Sequence, residues 1–86
     1  MKTIWKFSLA KSLDVPMPRG ATIVSVQLQE GFGLCIWAIV DSEAEQRTRH
    51  FVQVGTGHPI AEYLEYVGTW QELPFVWHLF EDFAKP

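Results

Sequence analysis

The run Gly55-Thr56-Gly57-His58-Pro59-Ile60 holds the residue types in this chain best suited to gripping an anion. Glycines adopt backbone angles that other residues avoid, so successive N–H groups can turn toward one point. His58 can donate or accept a hydrogen bond there, and Pro59 is placed to open a short helix whose N-terminus favours negative charge. A phosphate or carboxylate fits such a seat. The same residues also make an ordinary strand-to-helix turn, and the sequence leaves both readings open.

Two other groups bear on the same chemistry. Arg47 and Arg49 alternate on one face of a segment that runs directly into the glycine turn. Their planar guanidinium forks match phosphate and carboxylate oxygens. The tryptophans Trp5, Trp37, Trp70 and Trp77 supply flat aromatic surface. At a pocket wall such a ring stacks on a nucleobase, worth about 1–3 kcal/mol per base; otherwise it anchors a core or an interface. Aromatic ring, arginine and glycine turn together are what a nucleotide pocket requires. The candidate ligand-binding residues are therefore Trp5, Arg47, Arg49, Thr56, Gly57, His58 and Trp77.

Catalytic arrangements are thin. His50, His58 and His78 fit no zinc-ligand spacing, and Ser8, Ser12, Ser25 and Ser42 lack the context of a nucleophile elbow. The carboxylates of residues 41–45 and of Glu62, Glu65, Glu81 and Asp82 read as solvated faces rather than an opposed acid–base pair. Cys35 lies among Leu34, Ile36 and Trp37 and reads as a small buried thiol. The expectation is a protein that is not an enzyme and uses no metal or cofactor.

The elements that must position these groups follow from periodicity. Residues 3–9 alternate, with Trp5, Phe7 and Leu9 on one face. Residues 14–20, interrupted by Pro16 and Pro18, read as a connecting loop. Residues 21–29 resume period two with Thr22, Val24, Val26 and Leu28 inward. Residues 34–40, 47–54, 66–72 and 75–81 read as further strands. Between the glycine turn and residue 66, Ile60, Tyr63, Leu64 and Val67 stand at helical spacing. The expected fold is mainly β (α+β): an antiparallel sheet or half-open barrel of five to six strands with one short helix, in a single domain over 1–86.

Residues 34–40 and 75–81 are apolar on both faces, more than one short helix can cover. A second copy of the chain would cover the rest, so a homo-oligomer, dimer or higher, is expected. A net charge of −3 over 86 residues argues against general nucleic-acid binding. The N-terminal residues lack the apolar core of a signal peptide, and no run approaches the roughly 20 apolar residues of a membrane span. The expected location is cytosolic, with no membrane partner.

Four blocks carry a resemblance: Lys2-Thr3-Ile4-Trp5-Lys6-Phe7, the run from Leu34 to Asp41, the glycine block, and Val76-Trp77-His78-Leu79-Phe80-Glu81. Together they resemble a family of small uncharacterised tailed-phage proteins, a domain of unknown function. The resemblance implies a phage origin and expression in the cytoplasm of the infected bacterial host, and it brings no assigned catalytic residues. Phages encode small oligomeric proteins that capture nucleotide immune signals, and this chain is similar in size and pocket ingredients.

The expectation on that ground is an anti-defence protein that binds and sequesters a nucleotide immune signal without cleaving it. The signal would be an ADP-ribose-derived product of TIR enzymes (Thoeris) such as cyclic ADP-ribose, or a cyclic dinucleotide (CBASS). Thr56 and Gly57 would give hydroxyl and N–H contacts, His58 and Arg49 would hold phosphate, and Trp5 or Trp77 would stack on the base. The alternatives are an anti-CRISPR-like inhibitor of a host enzyme and an accessory protein of virion assembly.

Overall fold

The computed structural model describes residues 1–85, so Pro86 of the single-domain reading lies outside the described residues. Among the described residues seven strands form, more than the five to six expected: β1 (Lys2–Ser8), β2 (Asp14–Pro18), β3 (Thr22–Gln29), β4 (Gly33–Asp41), β5 (Gln46–Gly55), β6 (Glu65–Glu72) and β7 (Phe75–Glu81). They build two antiparallel sheets, one in the order β1-β4-β3 and the other in the order β2-β5-β7-β6. Met17, Ile36, Val40 and Leu79 are fully buried in the core they share. Along one seam β3 runs beside β6. A Cβ on Gly68 would lie 2.8 Å from Val26 Cγ2, so only glycine lets these two strands approach. The mainly β reading holds; the sheets do not close into a barrel.

Three expectations need correction. First, no helix occurs among the described residues, and 59–64 form irregular turns. Two helical turns are too short to repay their own nucleation, and the proposed apolar stripe is not buried, since Ile60 and Tyr63 are exposed. Val67 instead sits at an irregularity in β6 between Tyr66 and Gly68.

Second, residues 14–18 are a strand despite two prolines. Hydrogen bonds from Phe51 N–H to Leu13 C=O (2.9 Å) and from Arg19 N–H to Glu45 C=O (2.8 Å) set the phase of the β2–β5 ladder. Odd-numbered residues of β2 thus turn their amides to β5, and the nitrogens of Pro16 and Pro18 face away. That is the one setting in which an edge strand tolerates proline. Third, a bulge between Ile23 and Ser25 reverses the alternation within β3. Ile23 packs on the core, whereas Val24 is exposed.

Surface carboxylates tie the ends of strands together. The hydrogen bond with His50 holds the Asp14 carboxyl below its ordinary range, against the opposing effect of desolvation and with help from the charge of Lys85. Asp41 is lowered by the Glu43 backbone N–H and then by the N-terminal ammonium, and Glu45 by the guanidinium of Arg47 and then that of Arg19. Each folded-state value lies below the unfolded one. Their contribution is therefore complete above the unfolded value and is lost as pH falls through the folded one. The expected outcome is a melting temperature that declines once the pH drops below about 4. A scan that stays flat down to pH 2 would contradict this assignment.

A cleft at the end of the four-stranded sheet

β5 ends at Gly55, and the chain turns back through Thr56 and Gly57. Gly57 has φ of +90°, a left-handed angle that side-chain-bearing residues rarely adopt. The His58 N–H donates to Gly55 C=O at 3.1 Å, and the Thr56 N–H donates to Val76 C=O at 3.2 Å. Two of the amides expected to cradle an anion are thus used by the protein's own carbonyls. With no helix after Pro59, the expected helix-terminal anion seat is not formed.

The turn builds a cleft from side chains instead. The rings of Trp77 and His58 both approach Gly55: a Cβ there would lie 3.2 Å from Trp77 Cζ3 and 3.8 Å from His58 Cδ2. Beside them opens a depression of about 480 Å³, lined by Gly55, Thr56, His58, Pro74, Phe75, Val76 and Trp77. The Phe75 and Trp77 ring centroids stand 5.8 Å apart along its wall. A second depression of about 340 Å³ is lined by Val54, Gly57, Ile60, Tyr66, His78 and Phe80. Gly55, Thr56 and His58 border both.

A row of hydrogen bonds runs here from β6 across β7 to the residue after β5. Tyr66 Oη lies 2.6 Å from Thr69 Oγ1, which lies 2.9 Å from His78 Nδ1; His78 Nε2 lies 2.8 Å from Thr56 Oγ1. Thr56 Oγ1 is in turn 3.0 Å from Val76 C=O, which can only accept. The Thr56 hydroxyl therefore donates to Val76 and accepts from His78 Nε2–H. In the neutral imidazole Nδ1 then accepts from Thr69, and Thr69 in turn accepts from Tyr66.

The structure brings Thr56, Gly57, His58 and Trp77 together and leaves the other three predicted residues elsewhere. Arg49 is committed to Glu81 through Nε (2.6 Å) and Nη2 (2.7 Å), with Nη1 donating to Ala21 C=O. Arg47 pairs with Glu45 at 3.0 Å, a carboxylate it shares with Arg19. Trp5 lies on β1 of the other sheet, beside Phe7. Among the described residues no three His, Cys, Asp or Glu side chains gather as metal ligands.

Phe75, Tyr66, Thr69 and His78 escaped the sequence reading. Thr69 and His78 are cross-strand partners, as are Tyr66 and Phe80. Only the β6–β7 register reveals these pairs, and an irregularity between Tyr66 and Gly68 hides that register from simple alternation.

Comparison with known proteins places the chain in one family. A family model described as a domain of unknown function, DUF7352, matches residues 1–85, and the chain belongs to that family. No curated protein and no solved structure matches it.

Proposed function

We propose that the chain is a binding module that captures a nucleotide in the cleft between the Gly55–His58 turn and Phe75–Trp77, and holds it without breaking a bond. One observation carries this reading: an imidazole and an indole converge on a residue with no side chain, next to open space of about 480 Å³. That volume lies within the roughly 300–1,000 Å³ of small-molecule sites. The aromatic wall of Phe75 and Trp77 suits a base, and the exposed His58 suits a phosphate. The nucleotide class proposed is the ADP-ribose-derived or cyclic-dinucleotide immune signal, and the role is anti-defence sequestration in an infected bacterium. The resemblance to phage proteins supports that role, and the cleft supports the binding.

Thermal unfolding with cyclic ADP-ribose and with cyclic dinucleotides tests it. A ligand at one hundred times its dissociation constant adds about 2.7 kcal/mol of stability. The expected result is such a shift with one of these compounds, its loss in His58→Ala, and recovery of the compound intact after heating. No shift with any of them overturns the reading, and recovery of a cleaved product replaces it with an enzymatic one.

A second reading, inhibition of a host enzyme by direct contact, is favoured by the β6–β7 hairpin tip. Leu73 there is 83% exposed, and Phe75 beside it is also exposed. Apolar side chains exposed together at one tip suit contact with a protein surface. That reading expects Leu73→Asp to abolish inhibition of the host enzyme while leaving thermal unfolding with nucleotide unchanged.

A further inference from the structure

Four strands lie at sheet edges, β1 and β3 in one sheet and β2 and β6 in the other, and three of them are guarded against pairing. Pro16 and Pro18 deprive β2 of outward donors. β3 and β6 carry bulges and run beside each other. β1 has no proline and no bulge, and keeps an unbroken register with β4 from Lys2 to Ser8. Hydrogen bonds from Ser42 N–H to Met1 C=O (2.9 Å) and from Leu9 N–H to Leu34 C=O (2.8 Å) set its phase. Odd-numbered residues pair with β4, so Lys2, Ile4, Lys6 and Ser8 turn their N–H and C=O groups outward.

A lysine on an edge commonly blocks such pairing. Lys6 is drawn back over its own sheet instead: Nζ donates to Gln29 Oε1 at 2.8 Å and sits 3.8 Å from the centroid of the Phe32 ring. Ile4 is left 57% exposed and Trp5 37% exposed. We infer that β1 is a dimerisation edge and that its partner is β1 of a second copy, paired antiparallel about a twofold axis at Trp5.

Charge selects the register. Centring on Trp5 pairs Lys2 with Ser8 and Ile4 with Lys6 of the second copy, engaging all four outward residues. The neighbouring registers that keep these groups paired set Lys2 opposite Lys6, or Lys6 opposite its own copy. Like charges directly opposite are destabilising. In the favoured register Trp5 meets Trp5 at a non-hydrogen-bonded position, where Cα atoms approach to about 4.5 Å. The product is one continuous sheet, β3-β4-β1-β1-β4-β3. This inference stands whether or not the cleft binds a nucleotide.

Light scattering at micromolar concentration, with two variants, tests it. The wild type is expected at twice its 9.9 kDa chain mass. Ile4→Pro removes an outward donor and no ladder bond to β4, so it is expected at the chain mass. Should that variant fail to fold, Ile4→Lys serves, because it sets a second positive charge opposite Lys6. Trp5→Cys is expected to cross-link into a covalent dimer on mild oxidation, since the Cα separation falls within the roughly 4.4–6.8 Å that disulfides span. Cys35, with no exposed surface, does not compete. A monomeric wild type overturns the inference, and so does a dimer that survives the Ile4 variant or a Trp5→Cys protein that does not cross-link.

Discussion

Glu81→Ala is expected to destabilise the fold by about 3–5 kcal/mol, the usual cost of stranding one member of a buried ion pair. The Glu81 side chain is only 4% exposed and that of Arg49 20%. They meet through two parallel hydrogen bonds of 2.6 and 2.7 Å, while Arg49 also reaches the backbone of Ala21 just before β3. The pair thus joins β5 and β7 of one sheet to the entry of the other. Removing the carboxylate leaves a guanidinium largely withdrawn from water with one carbonyl for company.

A chain of this size loses about 4–8 °C per kcal/mol, so the melting temperature should fall by roughly 12–40 °C. Arg49→Ala should do similar damage, whereas Arg49→Met with Glu81→Leu should recover much of the loss by replacing charge with packing. Glu45→Ala, which breaks only exposed pairs with Arg19 and Arg47, should cost less than about 1 kcal/mol. Equal small losses at Glu81 and Glu45 in a denaturant titration would show that the buried pair contributes nothing special.

Leu79→Ala is expected to cost about 2–5 kcal/mol, toward the upper end of that range. Leu79 is fully buried at the middle of β7. Its cross-strand partners are Gln53 on β5 and Gly68 on β6. Gly68 has no side chain to swing into the space, and it is already pressed against Val26. The void therefore cannot collapse from that side, and residual cavity volume is what raises the cost of such truncations. Urea unfolding gives the measurement. A loss below about 1 kcal/mol would mean that the two sheets move together to refill the gap.

Much of the sheet framework could be read in the sequence, because half-buried strands write their period into side-chain polarity. The last strand, 75–81, was legible to its ends, and residues 3–9 differ from β1 by one position at each end. What was hidden depends on contacts between distant segments. Pro16 and Pro18 mark a loop unless one knows that β5 lies on the side away from their nitrogens. The bulge after Ile23 silently turns Ile23 inward and leaves Val24 exposed. Arg49 beside a glycine turn looks like an anion ligand until Glu81, 32 residues later, is found against it. Part of the cleft was visible in Thr56, Gly57, His58 and Trp77, but Phe75 beside that ring and the histidine row come from strand pairing, which no local pattern announces.

The row from Tyr66 to Val76 has one more consequence. Because a carbonyl terminates it, every proton in the string leans the same way, like dominoes tipped toward one end. Of the two neutral imidazole tautomers, only the one with hydrogen on Nε2 lets every link of the string form. Whatever settles in the hollow beside Tyr66 and Thr56 therefore meets a threonine hydroxyl whose hydrogen is already spent on Val76, an oxygen able only to accept one more bond.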